Sequence, residues 1–472
     1  MASFSDTKGF ILAAAASGAG KTTVASAICR TLREMGLEVQ PFKTGPDFVD
    51  PTYLSHAAGR RCRSLDGFPN PGLMPFFYSE GCSARKNLPN ADIAVIEGVM
   101  GMYDGLDAAG LYSSAWLAHT LGLPVVLLVD AKSSAASVAA VVKGFATLEP
   151  LAPRVVGVIA NRVSGEGHAE TIRETLLRFV GIPLIGWLHD LKDTAFPSRH
   201  LGLIPAGERR KEQERQDTEE TLLRFVCEIR AHVDIRGLIN MADVPSGVWR
   251  EPELPEPVKK ADGSAVSVAV AADDAFCFHY HENWELLERL GAELIQTRPM
   301  TDRSVPGGAD ALILPGGYPE EFARELAGNR EYLASVREFA GRGVTYAECG
   351  GMMYLARGVE FGGVRSEMAG VIEAEAQMTG KLHRFGYVEG TALKDNILFK
   401  EGETVKAHEF HYSSMEGAPP EAFSVRRALR GGEWIDGYAI ADRLLATYLH
   451  INFYSCPRSA GRFLTKAAAA KA

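Results

Sequence analysis

The chain has 472 residues, 46% hydrophobic and 23% charged, proportions that exclude collagen-like, coiled-coil and disordered architectures. Fifty Lys and Arg stand against 59 Asp and Glu, and the formal net charge of -9 has the wrong sign for nucleic acid or an anionic membrane as partner. The seven cysteines are odd in number, scattered and free of any C-x-x-C pair, so neither a disulfide scaffold nor a structural zinc site is expected and a cytoplasmic setting fits best.

Residues 10–16 read as a buried strand. With Lys8 before them they have the order of a signal peptide, but the run is short and flows straight into a glycine motif. A helix is expected over 22–35, and further short apolar runs over 38–42, 93–96, 125–129 and 155–159, separated by helix-length segments. That alternation predicts a parallel sheet covered on both faces. A helix over 218–232 closes this half. Between 242 and 264 prolines and charges accumulate, the composition of an exposed linker. The alternation then resumes, with strands over 266–271, 311–314 and 344–347 and helices over 284–290 and 330–340. The expected organisation is α/β: residues 1–241 as a first α/β domain, 242–264 as linker, 265–466 as a second α/β domain, and an alanine-rich frayed tail over 467–472. No run of about 18 apolar residues occurs, so no membrane span is expected.

Strand, glycine-rich turn, Lys-Thr and helix form the layout of a phosphate-binding loop in Ser17-Gly18-Ala19-Gly20-Lys21-Thr22-Thr23. Lys21 would reach the β- and γ-phosphates of ATP, and the Thr22 hydroxyl would ligate Mg2+. Ala15 occupies the first glycine position of the strict pattern. Carboxylates for the metal are expected just past strand ends, where an open α/β sheet gathers its ligand: Asp47 and Asp50 after one run, Glu97 and Asp104 after another. Asn161 follows the 155–159 run and could read the adenine edge. Singly, each carboxylate could equally solvate a turn.

In the second half, Tyr346-Ala347-Glu348-Cys349-Gly350-Gly351 runs from strand through a tight turn into a helix, a nucleophile elbow with cysteine in place of serine. The helix N-terminus predicts a lowered thiol pKa. Backbone N–H groups of Gly317 and Gly350 could form an oxyanion hole. The base would be His450, with His408 and His411 as competitors.

Taken together and in order, these motifs, with Gly45-Pro46-Asp47, Glu97-Gly98-Val99-Met100-Gly101, Arg199-His200-Leu201-Gly202-Leu203 and Gly316-Gly317-Tyr318-Pro319-Glu320, closely resemble the cobyrinic acid a,c-diamide synthase family. The resemblance covers almost the full length. It implies a dethiobiotin-synthetase-like P-loop domain and a class I glutamine amidotransferase domain of flavodoxin-like fold, each doubly wound. The implied reaction is amidation of the a and c acetate carboxylates of a tetrapyrrole-derived polycarboxylate. ATP·Mg2+ makes an acyl phosphate, and L-glutamine supplies ammonia through a thioester on Cys349, with His450 as base. Lys21 and Thr22 would hold phosphates and metal, Asp47 and Glu97 would support Mg2+, and Asp50 and Asp104 would serve the acyl-phosphate site.

Two departures bear on this resemblance. Many class I amidotransferases carry glutamate two residues after the histidine; here Asn452 stands there, which leaves the third triad member open, Glu348 being no obvious substitute. Ser64 replaces an expected asparagine before Leu65-Asp66, so the ring remains open among cobyrinic acid, hydrogenobyrinic acid, nickel-sirohydrochlorin and sirohaem. Arg60, Arg61 and Arg63 are candidates for the positive charge such a ring needs. A homodimer is left open. The competing reading is a MinD-like regulatory ATPase carrying a non-catalytic glutamine-sensing module.

Overall fold

The short apolar runs become strands because each is bounded by Gly or polar residues and is too short for a buried helix. A computed structural model of the chain describes residues 8–69, 77, 90–191, 196, 198–199, 202–203, 212–244, 253–429 and 431–470. They fall into two units, the second of which takes up the chain from residue 253.

The first unit is built on β1 (Lys8–Ala14), β2 (Val39–Lys43), β3 (Arg63–Ser64), β4 (Ile93–Glu97), β5 (Val125–Asp130), β6 (Val155–Val163) and β7 (Leu184–His189). Their order is β3-β2-β4-β1-β5-β6-β7, every pair parallel. The chain winds outward from β1, returns to place β4 beside it, then crosses to β5 on its other side. The winding thus reverses at β1, and the loop over 15–20 leaves the carboxyl end of that strand, where such sheets bind ligands. Helix α1 (Lys21–Glu34) lays Val24, Ile28 and Leu32 on Phe10 and Leu12, and Leu222, Val226 and Ile229 of the helix Glu212–His232 join the same core. Each such side chain contributes about 1.5–3 kcal/mol of burial, which fixes α1 and hence the turn before it. Ser198–Arg199 (β8) and Gly202–Leu203 (β9) form a two-residue hairpin, while His200 and Leu201 lie outside the described residues.

The second unit has a six-stranded sheet of β10 (Val266–Ala271), β11 (Ala292–Thr297), β12 (Ala311–Leu314), β13 (Val344–Glu348), β22 (Tyr438–Ile440) and β23 (Leu444–Thr447). The order is β11-β10-β12-β13-β23-β22, parallel except for the last pair. Between β13 and β22 lie eight strands that the sequence reading did not foresee. β14 (Gly358–Phe361), β15 (Val364–Glu367), β16 (Ala374–Met378) and β19 (Ser413–Gly417) form one sheet. β17 (Arg384–Ala392), β18 (Thr404–His411), β20 (Phe423–Arg427) and β21 (Glu433–Asp436) form the other, antiparallel throughout.

The two units divide between residues 252 and 253, within the stretch expected as linker. The proposed linker is occupied at both ends: Gly9 N–H donates to the Ala242 carbonyl, Val258 N–H donates to Leu290 O, and Lys260 pairs with Asp310 at 3.0 Å. Prolines lack only their own donor, so this stretch still docks through its remaining backbone groups; residues 245–252 lie outside those described. The alanine-rich tail begins inside the last helix, Pro457–Ala469, where Ala467 is fully buried.

Candidate active sites

The loop after β1 turns on Gly18 (φ 76°) and Gly20 (φ 95°), left-handed positions that suit glycine. Residues 15–18 are exposed, whereas Lys21 is buried at the first position of α1. Its ammonium donates to Ala16 O at 3.2 Å and Met100 O at 2.5 Å. Met100 itself has a φ of 44°, a strained conformation that aims its carbonyl at this lysine. Burial and the neighbouring Lys43 lower the Lys21 pKa. Asn161 donates to Ala19 O at 3.0 Å, and the Arg162 guanidinium donates to Gly18 O at 3.0 Å and pairs with Asp130 at 2.5 Å. Asn161 therefore shapes the loop from beneath. An added Cβ at Gly20 would come within 2.8 Å of its amide nitrogen.

The four strand-end carboxylates divide into a group of three and an outlier. Lys43 at the end of β2 lies 2.7 Å from Asp50, 2.9 Å from Glu97 and 3.9 Å from Asp47. Thr22 Oγ1 donates to Glu97 Oε1 at 2.8 Å, while Glu97 Oε2 is buried without a hydrogen-bond partner among the described residues. Burial alone would discharge Lys43, but attraction from Asp50, Glu97 and Asp47 outweighs it and raises its pKa. Burial and the adjacent Asp50 push Asp47 up to about 8. Burial likewise raises Glu97, whereas for Asp50 the Lys43 ammonium overcomes burial and lowers it. Asp104 is exposed and lies outside the Lys43 cluster; its Oδ2 accepts from Gly101 N–H at 3.0 Å within the loop after β4, and its charge acts on Lys21. Lys43 was not singled out from the sequence. Its signal is a lysine ending a strand beside two of the chosen acids. Arg60 and Arg63, expected to face an anionic ring, are buried, and of the three arginines only Arg61 is exposed.

Cys349 occupies the turn between β13 and the helix Gly350–Leu355 with φ 46° and ψ -105°. Its N–H donates to Thr447 O at 2.8 Å, which ties the elbow to the end of β23. The two glycines are required for packing: a Cβ on Gly351 would sit 2.0 Å from Leu314 O, and one on Gly350 2.7 Å from Pro319 and 3.1 Å from Gly317 N. Gly317 and Gly350, the expected oxyanion pair, are thus brought side by side. The thiol is not activated as expected. Burial, then the Glu320 carboxylate, raises its pKa well above the ordinary value, and a six-residue helix does not reverse that.

His450 is buried just past β23, its ring stacked on His408 at 4.8 Å and 12°, with backbone bonds between the two residues in both directions. Gly316 leaves room for the ring: a Cβ there would lie 2.8 Å from His450 Cε1. His408 is packed behind His450 and accepts or donates at Tyr280 OH, and burial drives its pKa well below the usual value. His411 bonds Ser413 O and stacks on Tyr448, and its burial pushes it down to about 3. Of the three histidines, His450 is the one whose Nδ1 faces a carboxylate, 3.7 Å from Glu348 Oε2. Asn452 turns elsewhere: its Oδ1 accepts from Tyr454 N–H, and its Nδ2 donates to Glu282 at 3.3 Å.

Among the described residues one trio of side chains lies close enough to share a metal ion: His189, Glu228 and His232. It stands at the end of β7, where His189 Nδ1 bonds Glu228 at 2.9 Å and Trp187 stacks on His232.

Residues 10–203 match the family model of the CobQ/CobB/MinD/ParA nucleotide binding domain, and residues 267–457 that of the CobB/CobQ-like glutamine amidotransferase domain. The chain is 38% identical to a cobyrinate a,c-diamide synthase of Caldanaerobacter subterraneus subsp. tengcongensis, over 97% of this chain and 98% of the other. The same identity and shares hold for the Salmonella typhimurium enzyme of that name, and 36% identity over 95% of this chain and 96% of the other for that of Streptococcus sanguinis.

Proposed function

Because the chain belongs to the cobyrinate a,c-diamide synthase family, as its near-full-length identity to such enzymes shows, we propose that it amidates the a and c carboxylates of cobyrinic acid with ATP and glutamine. What supports this reading is the coexistence of two separate sets of residues: Lys21, Thr22 and Glu97 around a phosphate loop, and Cys349 at the elbow after β13 with His450 just past the neighbouring strand β23. A carboxylate is a poor electrophile at neutral pH and an amide a poor ammonia source, so the reaction needs both sites. The near-full-length identity to cobyrinate a,c-diamide synthases favours this reading over a regulatory ATPase.

At the first site a ring carboxylate oxygen attacks the γ-phosphorus, releasing ADP and leaving an acyl phosphate. The glycine loop and Lys21 would hold the transferring phosphates. Thr22, Glu97 and, across Lys43, Asp47 would hold Mg2+, and the buried unpartnered Glu97 Oε2 fits a cation ligand. The ion would neutralise phosphate charge. Lys43 balances the buried carboxylates and holds Asp50 ionised. At the second site His450 takes the thiol proton as Cys349 attacks the glutamine amide carbon. The tetrahedral oxyanion meets the N–H groups of Gly317 and Gly350. Ammonia leaves with the returned proton, and water hydrolyses the thioester to glutamate. Ammonia then displaces phosphate from the acyl phosphate, forming the amide.

The test is mass spectrometry of products after incubation with ATP, glutamine and cobyrinic acid, with sirohaem in a parallel reaction. Two acid-to-amide mass shifts on cobyrinic acid are expected; amidation of sirohaem alone would overturn the choice of ring. Lys21→Ala is expected to abolish amidation while sparing glutamine hydrolysis, and amidation by that variant would remove the phosphate-loop assignment.

A further inference from the structure

We propose that Glu348, the residue immediately before the nucleophile, is the positioning carboxylate for His450 and takes the role that the residue two places after the histidine cannot fill here. The proposal rests on the reading of Cys349 and His450 as the glutamine-hydrolysing pair.

The two oxygens of Glu348 have different surroundings. Oε1 accepts from the Tyr346 hydroxyl and from Ile451 N–H at 3.1 Å, which anchors the carboxylate to the segment carrying the histidine. Oε2 is the atom nearest His450 Nδ1, at 3.7 Å, and both side chains are buried, so little solvent screens them. That separation is roughly 0.5–1 Å beyond a hydrogen bond. Catalytic hydrogen bonds are often long before substrate binds and tighten in the reacting complex. The imidazole is enclosed by neighbours on several sides. His408 stacks on one face, Gly316 lies against Cε1, and Phe278 packs nearby with ring centroids 6.4 Å apart. Asn452 is committed to Tyr454 and Glu282, and an amide would in any case supply no charge.

The topology makes this arrangement natural. β13 and β23 are adjacent and parallel, with Glu348 in register with Thr447, so the last residue of β13 lies beside the turn that leads from β23 to His450. A carboxylate there selects the tautomer with its proton on Nδ1, leaving Nε2 to accept from the thiol, and it stabilises the imidazolium once the proton has moved. Because burial keeps the Cys349 thiol protonated, proton transfer must occur with glutamine in place, when that stabilisation matters most.

The test compares ring amidation driven by glutamine with amidation driven by ammonium chloride, in the full-length protein. Glu348→Gln is expected to lower the glutamine-dependent kcat on the order of 10²-fold, with KM for glutamine and the ammonium-driven rate unchanged. Glu348→Asp should recover at least about a tenfold part of that loss, since the charge returns on a shorter arm. Asn452→Ser, which keeps an acceptor for the cap at Tyr454, should retain glutamine-dependent activity. A Gln variant with near-normal kcat, or an Asp variant no better than Gln while ammonium-driven amidation persists, would overturn the proposal. If Gln also loses the ammonium-driven rate, the Asp variant decides: recovery supports positioning, and continued loss of the glutamine-driven rate overturns it. Cys349→Ala serves as the separate control, because glutamine-dependent amidation by that variant would sink the thioester reading itself, whatever Glu348 does.

Discussion

Replacing Lys43 by methionine keeps the length and apolar stem of the side chain but removes the ammonium that Asp50, Glu97 and Asp47 share. At 2.7 and 2.9 Å the two near contacts are each worth roughly 6 kcal/mol of attraction at an effective dielectric of about 20, most of it offset by desolvation. What remains visible on removing one partner of a buried pair is about 3–5 kcal/mol, because the carboxylates stay buried and repel. For a unit of this size that lowers its melting transition by on the order of 10 °C. The deficit should depend on pH. Asp47 and Glu97 have pKa values raised by folding, and such a group contributes stability at low pH that is lost as pH rises through its folded pKa. Without Lys43 those values rise further, so the deficit should be small near pH 5 and full near about pH 9. Scanning calorimetry of both proteins at the two pH values measures it. A melting point within about 2 °C of the parent at high pH, or a deficit larger at low pH, would refute the reasoning.

Gly316→Ala places a methyl group 2.8 Å from His450 Cε1 and 3.1 Å from the Phe278 ring, an overpacking of about 1–3 kcal/mol; glutamine-driven amidation should fall in steady-state assays while ammonium-driven amidation persists. Glu409 is pushed up to about 8 by burial and then by Asp436, so its contribution to stability is present below the usual glutamate range and lost as pH rises through about 8. Glu409→Gln should therefore flatten the pH dependence of the second unit's melting between about pH 5 and 9, and an unchanged slope relative to the parent would contradict it.

The parallel strands of both units were legible because they are short, apolar and separated by helices: the runs over 266–271 and 311–314 coincide with β10 and β12. The strands between β14 and β21 were not. β15 is mostly exposed and pairs with its chain neighbour β14 across Gly362-Gly363, so it offers a turn signal but no apolar run, while β17 alternates only in its second half, where Val388, Gly390 and Ala392 are the buried positions. At the phosphate loop, the spacing of glycines and Lys-Thr announced a geometry that depends on local backbone. Lys43 was hidden because its role arises from three carboxylates delivered by two different loops. Glu348 was passed over for a similar reason: its proximity to His450 depends on β13 and β23 being neighbours, and 101 residues separate Glu348 from His450 in sequence. The depressed thiol pKa expected from a helix start failed because burial is a larger effect than the dipole of six residues.

The outward carbonyls of the phosphate loop are already engaged, Ala16 by Lys21, Gly18 by Arg162 and Ala19 by Asn161. The loop is therefore not a transplantable cassette. Moved into another strand–helix turn without residues 161 and 162, Ser17 to Thr22 would keep their spelling and lose the scaffold that sets their shape. Substitutions on β6, far away in the chain, should register as changes in nucleotide affinity and combine non-additively with changes in the loop itself.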